Sequence, residues 1–157
     1  MPDATLQVDQ ELDAGLGACW LRNGEIAALT QETLLHFDGE RYRLLAWCIM
    51  PNHVHVVAEM LTGHSMSNIV KSWKSFISRQ ANAHLGRAGA FWEPDYFDRY
   101  MRNEDHLMRT IKYVENNPVK AGLVVKATDW PWGSASLERG SPDAHHSMSG
   151  PGGPRSA

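Results

Sequence analysis

The chain predicts an α+β sandwich, an antiparallel sheet in a split βαβ arrangement with one further helix near its C-terminal end. Three observations support this. Two β-prone runs, residues 42–50 (YRLLAWCIM) and 53–60 (HVHVVAEM), are parted only by Pro51-Asn52, as in a tight antiparallel hairpin. Residues 66–85 place Met66, Ile69, Val70, Trp73, Phe76, Ile77, Ala81 and Leu85 on one helical stripe. A second helical pattern opens after Asn103 and stops at Asn117-Pro118, and no segment of the 157 residues repeats another.

Taken in order, residues 1–16 are polar and acidic without sustained periodicity, and are expected to form a flexible N-terminal segment. The folded domain is expected at 17–136 and a disordered tail at 137–157, where Ser, Pro, Gly and His leave little to bury. Residues 17–21 (GACWL) are assigned to the first strand, and residues 25–37 to a helix carrying Ile26, Leu29, Thr33 and Phe37 at helical spacing. After the hairpin, the helix over 66–85 keeps Lys71, Lys74, Ser78 and Arg79 away from its apolar stripe, and Gly86 and Gly89 end it. Residues 91–101 (FWEPDYFDRYM) are aromatic and interrupted by Pro94, which suits edge-strand pieces. Asn103 then caps a last helix over roughly 104–117, with Glu104 and Asp105 in the first turn where the helix dipole favours anions. Pro118 pushes Asn117 out of the α region and Gly122 closes the turn that follows. The sum, β-α-β-β-α-β-α, is a ferredoxin-like sandwich with an added C-terminal helix bearing Tyr113.

Composition narrows the class. No run approaches the roughly 18 apolar residues that a membrane helix needs, and the first residues lack the layout of a secretory signal, so a cytoplasmic protein without membrane contact is expected. Cys19 and Cys48 stand far apart with no CxxC, which argues for small buried residues over a disulfide, a zinc knuckle or redox chemistry. The net charge of −3 hides an asymmetry: residues 1–40 hold eight acids against Arg22 alone, whereas residues 69–126 hold ten Lys or Arg against six acids. A phosphate backbone would be met by that basic half, although lysines and arginines also solvate ordinary helix faces.

Two features bear chemistry. On a strand, His53 and His55 point to one face and Val54 and Val56 to the other, so the two imidazoles are neighbours able to reach one divalent cation, or simply a half-buried hydrogen-bonded pair. An HxHxD hydrolase would need an Asp where Val57 stands. His64, His84 and His106 have no comparable partner in sequence, and His145 and His146 lie in the tail. In the last helix Tyr113 is four residues after Arg109 and four before Asn117, off the buried stripe of Leu107, Ile111 and Val114. It is either a packing residue with a wet hydroxyl or a presented nucleophile.

The stretches YRLLAWCIMPNHVHVV, SWKSF, FWEPDYFDRYMRNEDHL, YVENNPVKAGLV and DWPWGSA occur in this order. Over about residues 17–136 the chain resembles the REP-associated branch of the single-tyrosine HUH transposases. The resemblance implies that His53-Val54-His55 is the HUH motif, that Tyr113 is the nucleophile, and that Asn117 completes a metal site for Mg²⁺ or Mn²⁺ with His53 and His55. It implies nicking and strand transfer of single-stranded or hairpin DNA through a 5′-phosphotyrosine, as in DNA transposition, by a monomer or a homodimer. Phosphate contacts are then expected from Lys71, Lys74 and Arg79 on the long helix and from Arg99, Arg102, Arg109 and Lys112 around the tyrosine. Trp92, Tyr96 and Phe97 are candidates for base stacking, with core packing the better expectation for Trp92 and Phe97. Trp130 and Trp132 are expected to tuck the C-terminal segment onto the domain. Two other readings stay open: a non-catalytic DNA-binding relic of a transposase, and a metal-dependent phosphodiesterase in which Tyr113 is structural.

Overall fold

In the computed structural model the described residues are 7–14 and 19–137, with the side chains of residues 95–97 left aside. Four strands, β1 (Gln7–Ala14), β2 (Tyr42–Met50), β3 (His53–Met60) and β4 (Trp92–Tyr100), form an antiparallel sheet in the order β2-β3-β1-β4. Helices α1 (Gly24–His36) and α2 (Met66–Leu85) lie between β1 and β2 and between β3 and β4, which is the expected split βαβ topology. Helix α3 (Glu104–Glu115) follows, then a single turn α4 (Asn117–Lys120) and two short 3₁₀ turns, Ala127–Asp129 and Ser134–Leu137.

The first strand differs from the expectation. It is Gln7–Ala14, inside the segment read as a flexible acidic N-terminus, and it occupies the centre of the sheet between β3 and β4. Val8, Gln10, Leu12 and Ala14 are buried on one face, while Asp9, Glu11 and Asp13 alternate to the other. Where the strand was expected, residues 17 and 18 lie outside the described residues, Cys19 has a left-handed backbone (φ 56°) that a strand does not admit, and Trp20–Arg22 is a 3₁₀ turn. The apolar content there serves packing: Leu21 is buried and Trp20 stacks on Phe91 with Arg87 lying 3.9 Å over its ring. Residues 138–157 of the tail also lie outside the described residues.

The two faces of the sheet differ. Val8, Leu12, Leu44, Trp47, Ile49, Val54, Val56 and Ala58 pack against Ile26, Leu34, Ile69, Trp73 and Ile77 of α1 and α2 in the main core. Polar ties lock that layer: the Tyr42 hydroxyl donates to the Leu34 carbonyl at 2.5 Å and accepts from Trp73 Nε1 at 3.2 Å, and Trp47 Nε1 donates to Gln31 Oε1 at 2.8 Å. Phe76, placed on the apolar stripe by its spacing, is 40% exposed at the edge of this layer. The opposite face is thinner. Ala46, Cys48, Met50 and Val57 meet Leu107 and Val114 of α3 in a small second cluster. Cys48 is buried here, and desolvation together with Glu115 pushes its thiol up to about 12, so it is an inert packing residue.

The DWPWGSA segment lies along β2 and reaches α3 through the Ser134 hydroxyl, which donates to Glu115. Ile49 N–H donates to the Trp132 carbonyl at 2.8 Å and Trp130 Nε1 donates to the Ile49 carbonyl at 3.0 Å. Gly133 bridges to Cys48 where a Cβ would come within 3.4 Å of the Trp47 carbonyl. This is the tucking expected of Trp130 and Trp132.

Candidate active site on the second face of the sheet

Strand alternation places His53 and His55 on the face that α3 covers. The register opposes His55 with Glu11 and His53 with Asp13 on β1, so the three carboxylates Asp9, Glu11 and Asp13 share that face. His55 is 4% exposed, and its Nε2 is hydrogen-bonded to Asp9, which is equally buried. A carboxylate only accepts, so Nε2 carries a proton in this pair. His53 has the opposite arrangement. Its Nδ1 lies 3.0 Å from Asn52 Oδ1 in the hairpin turn, which puts the proton on Nδ1 and leaves the Nε2 lone pair toward Glu11, whose Oε2 is 3.9 Å away. Burial is the main cause holding the His53 imidazole below its ordinary pKa; Glu11 pulls it up, and neighbouring His55 pushes it further down. Donor atoms of Glu11, Asp13 and His53 all lie within 4.8 Å of one another, a group able to hold a metal ion.

Helix α3 forms where the sequence placed its start. Asn103 Oδ1 accepts from His106 N–H at 2.8 Å, Glu104 and Asp105 occupy the first turn, and Leu107, Thr110 and Val114 are buried. Tyr113 is off this stripe and 51% exposed. Its ring meets that of His55 edge-on, with centroids 6.1 Å apart and planes at 74°. The helix ends at Glu115 because Pro118 has no N–H for the next bond. Asn117 therefore opens α4 and does not continue the tyrosine helix; it is half-buried, and its side-chain amide has no hydrogen bond among the described residues. The turn carries Lys120 back over Tyr113, with Nζ 5.0 Å from the ring centroid. An open basin of about 730 Å³ follows, lined by Arg109, Lys112, Tyr113, Glu115, Asn116 and Lys120.

The remaining candidates divide between the faces. Arg109 and Lys112 line the basin, Arg99 is opposite Asp9 on β4, and exposed Arg102 precedes α3. Lys71, Lys74 and Arg79 belong to α2, across the sheet from Tyr113. Lys74 Nζ donates to the Glu93 carbonyl at 3.1 Å, and Arg79 donates to Ser75 Oγ at 3.3 Å. Trp92 is buried and donates to the Lys74 carbonyl, so it packs in the core; the side chains of Tyr96 and Phe97 lie outside the described residues. Asp9, Glu11, Asp13, Asn52 and Lys120 are the site residues that sequence reasoning missed. The period-two acidity of Asp9, Glu11 and Asp13 is a signal that could have found three of them.

Comparison with known proteins bears on the family and the fold. A REP-associated tyrosine transposase of Escherichia coli (strain K12) is 26% identical over 91 residues, covering 58% of this chain and 53% of that protein. A protein of Haemophilus influenzae, carrying the same family name provisionally, is 25% identical over 120 residues, covering 70% of this chain and 66% of that one. The chain thus spans between about half and two thirds of the length of these relatives. The solved structure of a REP-associated tyrosine transposase bound to a REP hairpin shares the fold, with a TM-score of 0.66 at 20% identity over 82% of this chain and 76% of that one. The family model described as "Transposase IS200 like" matches residues 25–117, from the start of α1 to the residue that opens α4. With more than half of its length matched, this chain belongs to the IS200-like transposase family.

Proposed function

We propose that the chain nicks and rejoins single-stranded DNA through transient attachment to Tyr113, acting where the strand folds into a hairpin, such as a repetitive extragenic palindrome. One observation carries this reading: Tyr113 stands edge-on to His55 at 6.1 Å, on the face of the sheet where His53 and the β1 carboxylates gather. The donor chemistry fits a hard divalent cation, because a lone-pair nitrogen of His53 and two carboxylates converge within 4.8 Å. Those residues would hold Mg²⁺ or Mn²⁺, joined by His55 and Asn117, which the family resemblance assigns to the metal. Such an ion supplies polarisation of a phosphoryl oxygen and neutralisation of charge.

The protein's own groups do the rest. Tyr113 is open to solvent on the basin side, so a flexible strand reaches its hydroxyl. Its Oη attacks phosphorus in line; the Oη–P bond forms as the P–O3′ bond breaks, the phenolic proton passes to water, and the departing 3′ oxygen takes one up. The product is a 5′-phosphotyrosine and a free 3′-hydroxyl. Phosphodiester energy is kept, and a 3′-hydroxyl reverses the step without ATP. Arg109 and Lys112 flank the strand from α3, Arg99 on β4 and Arg102 before α3 offer further phosphate contacts, and Lys71, Lys74 and Arg79 serve only a portion of DNA that passes to the far side of the sheet.

The test is a labelled hairpin oligonucleotide incubated with Mn²⁺ or Mg²⁺. A covalent protein–DNA adduct is expected from the unaltered chain and none from Tyr113→Phe; equal yield from the variant removes Tyr113 as nucleophile. A second reading draws on one observation, that Asp9 engages His55 Nε2: a DNA-binding relic would hold hairpins in a salt-sensitive manner and cut none under any divalent metal.

A further inference from the structure

We propose that Lys120 is the residue that seats the scissile phosphate against Tyr113, contacting a non-bridging oxygen of the phosphodiester under attack. This rests on the strand-transfer reading given above. Lys120 stands at the end of the turn that follows α3 and borders the same basin as Tyr113. Pro118 breaks the tyrosine helix, and the turn after it is fixed by backbone bonds from Val119 and Lys120 N–H to the Asn116 carbonyl and from Ala121 N–H to the Asn117 carbonyl, at 3.1, 3.0 and 2.9 Å. Gly122, at φ 78°, then turns the chain away, and Leu123 N–H closes onto the Pro118 carbonyl at 2.9 Å. The result is a lysine whose ammonium hangs over the phenol ring at 5.0 Å while its backbone is held.

Its charge is available. Among the described residues no carboxylate pairs with Lys120, and the one acid lining the basin, Glu115, accepts a hydrogen bond from the Ser134 hydroxyl at 2.6 Å. Arg109 and Lys112 stand on the same helix as Tyr113, so they flank an incoming strand from one side only. Lys120 comes from the separate turn after Pro118 and is the cation placed over the Tyr113 ring itself. An ammonium over the ring need only swing toward the hydroxyl edge to meet the phosphate that this hydroxyl attacks. There it offsets the repulsion between the incoming phenolic oxygen and the phosphate, and stabilises the charge that builds on the equatorial oxygens. Lys120 forms no covalent bond and keeps its proton throughout.

The experiment uses the full chain with Mn²⁺ and a hairpin-forming single strand, comparing unaltered protein, Lys120→Met, Lys120→Arg and Lys120→Glu. The single-turnover rate of adduct formation is expected to fall about tenfold or more in Lys120→Met, further in Lys120→Glu, and to recover largely in Lys120→Arg. Without metal, the slope of log K against log salt for single-strand binding is expected to lessen by about 0.7 in Lys120→Met, because the variant neutralises one phosphate fewer. Coincident unfolding midpoints check that the folds match. An unchanged adduct rate in Lys120→Met overturns this role and leaves strand transfer standing. If the unaltered chain forms no adduct, strand transfer fails, and an unaltered salt slope then overturns the pairing of Lys120 with phosphate as well.

Discussion

Asn52 Oδ1 lies 3.0 Å from His53 Nδ1 and thereby fixes which ring nitrogen faces the Glu11 and Asp13 carboxylates. The hairpin turn thus does two jobs: it sets the register of β2 against β3 and orients a candidate metal ligand. Replacing Asn52 by Ala frees the ring to flip. Affinity for Mn²⁺, measured by titration calorimetry, is expected to drop about tenfold or more. An unchanged dissociation constant would remove Asn52 from this role.

Asp9 and His55 form a buried pair, so removing either leaves a polar group without its partner. Asp9→Ala is expected to cost roughly 1–3 kcal/mol in urea unfolding, from the stranded His55 N–H. A loss of a few tenths only would show that water or another group satisfies His55, and would weaken the placement of β1 at the centre of the sheet.

Ser134 accepts from Trp47 N–H at 3.0 Å in the buried edge of β2 and donates to Glu115 at the end of the tyrosine helix. Ser134→Ala strands a buried backbone donor and should destabilise by about 1–3 kcal/mol. Since the hydroxyl also steadies α3, adduct formation should slow in protein that is still folded. Full stability in the variant would contradict the clamp.

Stability should also carry a pH signature from His53. Burial holds its folded pKa below the ordinary 6.5, so the unfolded chain takes a proton first as pH falls. Stability therefore drops as pH passes down through about 6.5 toward the lower folded value, then levels once both states are charged. In His53→Gln the dependence of the urea midpoint between about pH 7 and pH 5 should be shallower. Parallel profiles would show that other histidines set the slope.

Much of this architecture can be read from local patterns. Helix α2 begins and ends at the expected residues because Ser65 and Gly86 cap an unbroken apolar stripe, and the hairpin follows from Pro51-Asn52 between two β-prone runs. Strand β1 escaped detection for a physical reason. Its inward face includes Gln10, and its outward acids find their partners on a strand more than forty residues away, so its acidity resembles that of a solvated segment. Cys19 to Leu21 misled in the opposite way, since their apolar side chains pack from a 3₁₀ turn. The pairing of His53 with His55, and the place of Tyr113 off the buried stripe, both follow from side-chain periodicity. That Lys120 returns over Tyr113 depends on the geometry of the turn at Pro118, which spacing alone does not fix.

The backbone bond from Ile49 to Trp132 has a bearing on solubility. It occupies part of the border of β2, while the border at the other side of the sheet, β4, carries Pro94 and so lacks one donor. A foreign polypeptide seeking to extend the sheet by main-chain pairing meets an obstructed margin on either side, which works against fibrillar aggregation.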